Sequence, residues 1–530
     1  MQNKMSVWIV GTLSLTLWSA AAAAQWPPGD GLALADRDFS SNMPKIRATS
    51  DGGCYVSWFD DAEFGFDVYL QRLNATGEEL WPHNGVKIAD RNQDWTTDYG
   101  LEVDAADNAL LAFRDDRYGI LHLTVASTGP DGVQLWETAV SDGTFEPINP
   151  SLVLTADGGV TVAWSEYTDD GKQVHVQRLN AAGQLQWSAP LVLKDTDGGN
   201  FDFSFMTSSD HDNVILSWVR QGSQYWEPYH LWAQKISSEG DLLWGPSHVI
   251  VYDGVGLEVA ERPRHVSDGQ GGAVFNWHFI VEGAWYDVAI QHILTNGAIT
   301  YQHNGLTPVP DNIRQRYCSA LAYNQISGDT YLFWTELDVV GYTDYYAPFG
   351  QKFDGEGARC WGLTGLALSP WDTGAVMSPD AYPCSRGGAK LCWITAQPSG
   401  ECIVNATRVN SAGEPVWSEP TLAVSTAPSE KASLSAAILA SGMQALVWSD
   451  NRDGDSDIYV QNIFNDGTLG NCLADLNFDG LVDLSDLAQL LGRYGTTSGA
   501  AFTDGDIDAD GDVDLSDLAA LLGVYGMGCN

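Results

Sequence analysis

Most of the chain is written in short runs that alternate apolar and polar residues, rich in Val, Ile, Leu and aromatics and broken by Gly, Asn and Asp. Alternation with a period of two predicts strands that bury one face, and the breaks predict tight turns between antiparallel neighbours. The runs recur as units. The stretch "DGGCYVSWFDDAEFGFDVYLQRLNATGEELWPHNGVKIAD" from Asp51 returns in outline as "DGGVTVAWSEYTDDGKQVHVQRLNAAGQLQWSAPLVLKD" from Asp157. A first aromatic marks each unit, at Trp58, Phe113, Trp164, Trp218, Trp277, Trp334, Trp393 and Trp448, at intervals of 51 to 59 residues. A second follows 23 to 27 residues behind the first seven, at Trp81, Trp136, Trp187, Trp244, Tyr301, Trp361 and Trp417. Six units also carry a Gln after the first aromatic: Gln71, Gln177, Gln234, Gln291, Gln351 and Gln461.

About four strands per unit at this period predict a mainly β fold, an eight-bladed β-propeller. The repeats of a strand solenoid, the alternative, are usually shorter. The eighth unit, from about Ser433, ends at "DIYVQNIFNDGTLG" without a fourth strand. At the other end of the chain, "QWPPGDGLALAD" (Gln25 to Asp36) resembles "LWPHNGVKIAD" (Leu80 to Asp90), with Trp26 in the role of Trp81. The N-terminal strand is therefore expected beside Ile458–Ile463, closing the last blade and removing an open edge. Recurrence in every unit marks the Trp residues as inter-blade core and the Gln residues as buried hydrogen-bonding groups. The unit resembles a W-x-D-x-R…DIYVQ-x-L…G-x-x-x-W repeat of bacterial exported propellers, most clearly at "WSDNRDGDSDIYVQNI" (Trp448 to Ile463). The resemblance implies the fold and no particular activity.

Charge changes the picture at one end. Of 530 residues, 69 are acidic and 26 are Lys or Arg, a net charge of −43 that argues against nucleic acid or anionic membrane as partner. From Cys472 onward there are 11 Asp and one Arg, a density better explained by bound metal than by solubility alone. Residues 1–24 begin with Lys4, continue through an apolar run and end in Ala22-Ala23-Ala24, the pattern of a secretory signal peptide cleaved near Ala24. Export without a membrane anchor follows as an expectation, with residues 25–470 as the propeller. Eight cysteines are then free to form disulfides.

Residues 471–530 hold two near-copies of one acidic loop, "DLNFDGLVDLSD" from Asp475 and "DIDADGDVDLSD" from Asp506. Oxygen side chains occupy positions 1, 3, 5, 9 and 12: Asp475, Asn477, Asp479, Asp483 and Asp486, then Asp506, Asp508, Asp510, Asp514 and Asp517. Position 6 is Gly480 or Gly511, and position 7, Leu481 or Asp512, offers a backbone carbonyl. This is a calcium-loop arrangement, with the shorter Asp in place of Glu at position 12. Each loop runs into a helix whose apolar residues, Leu487, Leu490, Leu491 and Tyr494 or Leu518, Leu521, Leu522 and Tyr525, keep the spacing of one buried face. A duplicated loop–helix without entering helices resembles a type I dockerin, the calcium-dependent module that docks secreted proteins onto cohesins. The resemblance implies two Ca2+ ions, a small all-α fold and a cohesin-like partner contacted through Leu484, Ser485, Leu515 and Ser516. Later in each helix the family often has a basic pair, where this chain has Leu491-Gly492 and Leu522-Gly523. Disulfides are expected at Cys472–Cys529, bracketing the module, and at Cys392–Cys402, across the hairpin "CWITAQPSGEC".

The propeller sequence shows no zinc motif, nucleophile elbow or phosphate-cradling loop. Two residues after the first aromatic, five units carry an acid: Asp60, Asp115, Glu166, Glu336 and Asp450. A carboxylate ring can serve glycoside chemistry, but Asp–x–Arg pairs such as Asp115/Arg117 and Asp450/Arg452 favour a role in fixing turns. Two function classes stay open. The absence of a catalytic constellation favours a non-catalytic propeller that binds glycan or protein and is attached through the tail. Fusion to a dockerin-like module points instead to a glycoside hydrolase or polysaccharide lyase.

Overall fold

A computed structural model describes residues 26–62, 65–93, 99–281, 285–310, 313–470, 474–477, 481–500, 502–507 and 511–526. The signal-peptide expectation and the Cys472–Cys529 pairing lie outside the described residues. Eight four-stranded antiparallel sheets form the blades of a propeller. In blade 1 the strands run from the axis outward as Ser41–Ala48, Cys54–Ala62, Gly65–Leu73 and Val86–Ala89.

The last blade closes as expected. Its sheet orders Lys431–Ile438, Gln444–Asp450, Asp457–Ile463 and then the N-terminal strand Leu32–Ala35. Leu32 pairs with Val460, Ala33 with Tyr459 and Ala35 with Ile458.

The repeated side chains do the joining. Seven of the first aromatics are Trp residues with at most 2% of their surface exposed, so they are core and not sugar platforms. The second-series indoles each donate to a backbone carbonyl in the following blade: Trp81 to Pro130, Trp136 to Ala181, Trp187 to Ser238, Trp244 to Thr295, Trp361 to Ser411 and Trp417 to Asn465. Trp26 completes the circuit by donating to Ala75 of blade 1 at 3.0 Å. Each Gln holds its third strand to the connection that leads to the fourth. Gln351, for example, donates to Gly362 and accepts from Trp361. Gln461 makes the equivalent bond to Pro27, across the junction of the chain's two ends, at 2.9 Å.

The inner strands share a second device. In six blades two residues bulge opposite the first aromatic, and the leading one is a non-glycine in the left-handed region: Met43, Asn149, Phe203, Cys318, Ser378 and Ser433, with φ between 48° and 56°. Such a conformation costs about 1–2 kcal/mol per residue, and the bulge re-aims the side chains around the axis. Blade 5 departs further. Its inner strand is split into Leu257–Glu258 and Arg264–Ser267, and residues 259–263 stand opposite Trp277 where other blades have two.

One sequence expectation fails in blade 7. Cys392 and Cys402 are both free, because the hairpin pairs Ala396 with Cys402 and Cys392 with Ala406. The turn is centred two residues beyond the midpoint of the two cysteines, so their side chains are not opposite one another.

Deleting residues 25–36 removes Trp26, Leu34 and Ala35 from the core and exposes the Asp457–Ile463 edge. At about 1.5–3 kcal/mol for each large buried side chain, several kcal/mol should be lost. The deletion protein should melt at lower temperature and aggregate; unchanged melting and solubility would contradict the closure.

Two histidines of blade 5 predict acid lability. His265 is buried with its Nε2 3.2 Å from the Phe205 carbonyl, and desolvation lowers its pKa to about 3. His278 is buried with Nε2 accepting from the Ser319 N–H, and desolvation lowers it to about 4. Below about pH 6.5 the unfolded chain takes up protons that the folded one refuses, so stability falls with pH by up to about 1.4 kcal/mol per unit for each group. In His265→Gln the decline in melting temperature between neutral pH and about pH 4.5 should be shallower than in the wild type. Parallel curves would rule out His265 as a source.

Candidate functional site

The five-acid series is not a catalytic ring. All five carboxylates are buried, and each is spent locally. Asp60 is paired with Arg37 at 3.0 Å, and Asp115 with Arg117 at 2.8 Å. Glu166 and Glu336 accept from their own blades' indoles, Trp164 and Trp334, and Glu336 also holds Arg316. Asp450 takes Trp448, Arg452 and, at 3.6 Å, Lys431. These groups cap indoles and fix turns.

The chemistry gathers on the inner strands. At the register level of the residue before the first aromatic stand Lys45, Arg264 and Asp380; two residues further on stand Arg47, Glu102 and Tyr382. A pocket of about 380 Å3 opens among blades 1 to 5, lined by Arg47, Glu102, Ser151, Phe205, Thr207 and His265. A second, of about 510 Å3, lies among blades 7, 8 and 1, lined by Met43, Met377, Lys431, Ser433 and Asn451.

Arg47 grips Glu102 of the next blade through Nη2 at 3.1 Å and Nε at 3.3 Å. Its charge is favoured first by Glu102, with Tyr382 and Asp380 adding to the field. Tyr382 places its hydroxyl between Asp380 Oδ2, at 2.8 Å, and the Ala436 carbonyl. One hydroxyl hydrogen cannot serve two acceptors. A proton on Asp380 resolves the conflict, and burial does push the Asp380 carboxyl upward. The phenol is also pushed well above its usual range, by burial and then by Asp380, so it keeps its proton. Arg264 lies over the Phe205 ring at 5.1 Å, exposed, with no carboxylate in ion-pair contact among the described residues. Its field reaches Asp380. The extra residues of blade 5 reach to blades on either side, where Arg262 bonds Asn149 of blade 3 at 3.1 Å and Glu261 accepts from Cys318 of blade 6. Asn149 in turn bonds Asp202, which is paired with Lys172.

The sequence reading missed this set because none of these residues repeats from blade to blade. The available signal was the broken inner strand "LEVAERPRHVS" with its arginines, and "KIR" at the same register of blade 1.

In the tail, helix α1 spans Leu484–Arg493 and helix α2 spans Leu515–Val524. Asp483 and Asp514 are their N-caps, each closing a reciprocal capping box with Asp486 or Asp517. The two halves exchange equivalent backbone bonds: Gly495 N–H donates to Val513 at 2.8 Å, and Gly526 N–H donates to Val482 at 2.7 Å. Of the expected apolar stripes, Leu490 and Leu521 are fully buried and Leu487 and Leu518 half-buried. Leu491, Tyr494, Leu522 and Tyr525 are exposed, a correction with a simple cause: two ten-residue helices enclose only one interlocking leucine each. Leu484 and Leu515 are 68% and 67% exposed beside exposed Ser485 and Ser516.

Both loops bring acids inward. Asp475, Asp486 and Asp517 are fully buried, and Asp506 is 5% exposed. Asp486 gathers the N–H groups of Leu476, Asn477 and Asp483, and Asp517 those of Ile507 and Asp514. Asp512, Asp514 and Asp517 hold carboxylate oxygens within 4.8 Å of one another. Buried, converging carboxylates fit a hard cation, together with Asn477 and the position-7 carbonyls of Leu481 and Asp512. Asp479, Asp508 and Asp510 lie outside the described residues.

No family model matches the chain, and no curated protein matches it. Comparison with solved structures finds matches with TM-scores below 0.5. One, from Dyadobacter fermentans, is of unknown function, with 10% identity over 82% of this chain and 97% of that one, TM-score 0.36. Another is a polysaccharide lyase, the PL25 ulvan lyase bound to a GlcA–Rha3S ligand, with 12% identity over 84% and 98%, TM-score 0.46. A third is the α-L-arabinanase of Penicillium chrysogenum complexed with arabinobiose, with 12% identity over 59% and 92%, TM-score 0.34. At these identities and TM-scores the likeness assigns no property to this chain. Among the described residues no helix is long and apolar enough to cross a membrane.

Proposed function

We propose that the propeller is a polysaccharide-degrading domain, a lyase or glycoside hydrolase, that takes an anionic glycan into its central channel. One observation carries this: in a protein of net charge −43, Arg264 stands exposed over Phe205 at the same inner-strand level as Asp380, which accepts from the Tyr382 hydroxyl. An unspent guanidinium suits the carboxylate or sulfate of an acidic sugar, and the aromatic face beneath it suits a sugar ring. Breaking a glycosidic bond by hydrolysis or by elimination needs a proton delivered to the leaving oxygen. The Tyr382 phenol, pushed above its usual range by burial, holds such a proton. Arg47, held by Glu102, adds a second positive group to the same wall. Strain at six left-handed residues around the channel is of the kind that accumulates at functional sites.

Purified protein offered acidic and neutral polysaccharides should release chain ends from an acidic one. Unsaturated products would mark a lyase, and reducing ends without unsaturation a hydrolase. Arg264→Ala should lower kcat/KM about 10- to 100-fold, the loss of about 1.5–3 kcal/mol expected for a charge-assisted hydrogen bond. Binding without any cleavage would leave the non-catalytic glycan-binding propeller; cleavage indifferent to Arg264→Ala and Tyr382→Phe would place the site elsewhere.

For residues 471–530 we propose a type I dockerin-like module that holds two Ca2+ ions and attaches the secreted protein to a cohesin-like partner. The reciprocal bonds between its halves and the exposed Leu484-Ser485 and Leu515-Ser516 pairs support it. Calcium would neutralise the buried carboxylates and couple binding to folding of this small core. Titration of the full-length protein should detect calcium binding of which two ions are lost in Asp475→Ala with Asp506→Ala, together with loss of helical circular-dichroism signal while the β signal stays. Calcium binding unchanged by both substitutions would exclude these loops as the sites.

A further inference from the structure

A second set of aromatics does not repeat from blade to blade and is not spent on the ring. At the turns between second and third strands stand Tyr118 in blade 2, Tyr167 in blade 3, Tyr225 and Trp226 in blade 4, Trp285 in blade 5 and Tyr342 in blade 6, all exposed. The sheet order places these turns at one end of the ring. Phe39, exposed on the connection into blade 1, lies at the same end, because Ser40 accepts from the Asp61 N–H near that blade's turn. Among the described residues of the propeller no other large aromatic is exposed, so the opposite face has none. The matching turns of blades 7 and 8, "QPSGE" and "NRDGDS", are polar. The aromatics therefore form an arc over five consecutive blades of one face.

The rings are braced. Lys172 stands 4.3 Å from the centre of the Tyr167 ring, and Arg117 5.5 Å from that of Tyr118, whose hydroxyl donates to Glu137. Tyr225 and Trp226 meet edge to face at 5.0 Å, yet are 86% and 67% exposed. Blade 6 projects beyond its neighbours. Its second and third strands, Asp329–Val340 and Thr343–Phe353, run to 12 and 11 residues, against 9 in blades 3 and 5. Tyr342 thus stands on a raised edge of the face. Side chains held in place before binding lose less freedom on binding.

Charge narrows the partner. Acids stand beside the rings at four of the five turns: Asp116, Asp169 with Asp170, Glu227 and Asp344. Such a face repels an anionic membrane, an acidic polymer and a second copy of itself. The centre of a protein–protein contact is depleted of charge, whereas carboxylates here separate the rings. An uncharged polysaccharide meets both conditions. A pyranose with equatorial hydroxyls turns flat C–H faces toward an aromatic ring, and its hydroxyls donate to carboxylates. Rings spread over five blades suit a long chain better than a single sugar.

We propose that this face is a binding platform for an uncharged polysaccharide of equatorially substituted pyranoses, with Tyr225 and Trp226 as its anchor and Tyr342 at its raised edge. The platform is separate from the channel wall. The Arg47–Glu102 pocket extends toward the opposite end of the inner strands, where Ser208 pairs with Val214 and Ser267 with Ala273. The proposal therefore does not rest on the reading of Arg264.

Electrophoresis of the full-length protein through gels containing hydroxyethylcellulose or xyloglucan tests it. At least one polymer should retard the protein, and about 0.5 M salt during binding should leave the affinity unchanged, because no ion pair is involved. Tyr225→Ala with Trp226→Ala should raise Kd about 10-fold or more, the usual cost of truncating an anchoring aromatic, and adding Tyr342→Ala should raise it further. These side chains are exposed, so the variants should melt with the wild type. Arg264→Ala should bind as the wild type does. Loss of binding in that variant alone would move the site to the channel. Absence of retardation by both polymers, or retardation equal in the triple variant, would overturn the proposal. Self-association of the wild type that the triple variant abolishes would instead assign the face to a second copy.

Discussion

A propeller is a ring, and a ring holds only if its last interface is as good as the others. Here that interface joins the two ends of the propeller chain. The strand Leu32–Ala35 supplies the fourth strand of blade 8. Trp26 bonds forward to Ala75, and Gln461 bonds back to Pro27. Elsewhere the corresponding indole and Gln bonds join units that are continuous in sequence, so loop closure there is short and inexpensive. At the seam the partners are more than 400 residues apart in sequence, and the entropy of bringing them together rises only slowly with that length. Burial of Trp26, Leu34 and Ala35 is the compensating term.

Closure has a consequence for the channel. Inner strands of all eight blades share one axis only when the ring is shut, and the charged wall is assembled between blades: Arg47 with Glu102, Asp380 with a backbone amide of blade 8, Arg262 with Asn149. None of these contacts exists inside a single unit. The wall brings together Lys45, Arg47 and Arg264 beside Glu102 and Asp380. The repeated tryptophans are spent on the ring itself: the first series is buried, and the second-series indoles are committed to carbonyls of the next blade.

The parts of this architecture visible in the sequence are those that recur. Trp and Gln return at fixed spacing because each blade needs the same joint, and the missing fourth strand of unit eight pointed to its replacement at Trp26. What does not recur was hidden. Arg264, Asp380 and Tyr382 each occur once at their register, so no period announces them, and their meeting depends on ring geometry. The turn in "CWITAQPSGEC" was misplaced because a midpoint between cysteines says nothing of where Gln397 and Glu401 close the hairpin. The tail's helical stripes were legible as period, but period alone cannot tell how much apolar surface two short helices can cover, hence exposed Leu491 and Tyr494.

The most direct test of the closed ring is a covalent one. Leu32 and Val460 are register partners, and antiparallel partners stand about 4.5–5.5 Å apart at Cα, within disulfide reach. Leu32→Cys with Val460→Cys should oxidise to a bridge in the folded protein and raise its unfolding temperature, with each single variant unable to do so. Two free thiols in a folded, oxidised double variant would contradict the pairing of the chain's ends on which the account depends.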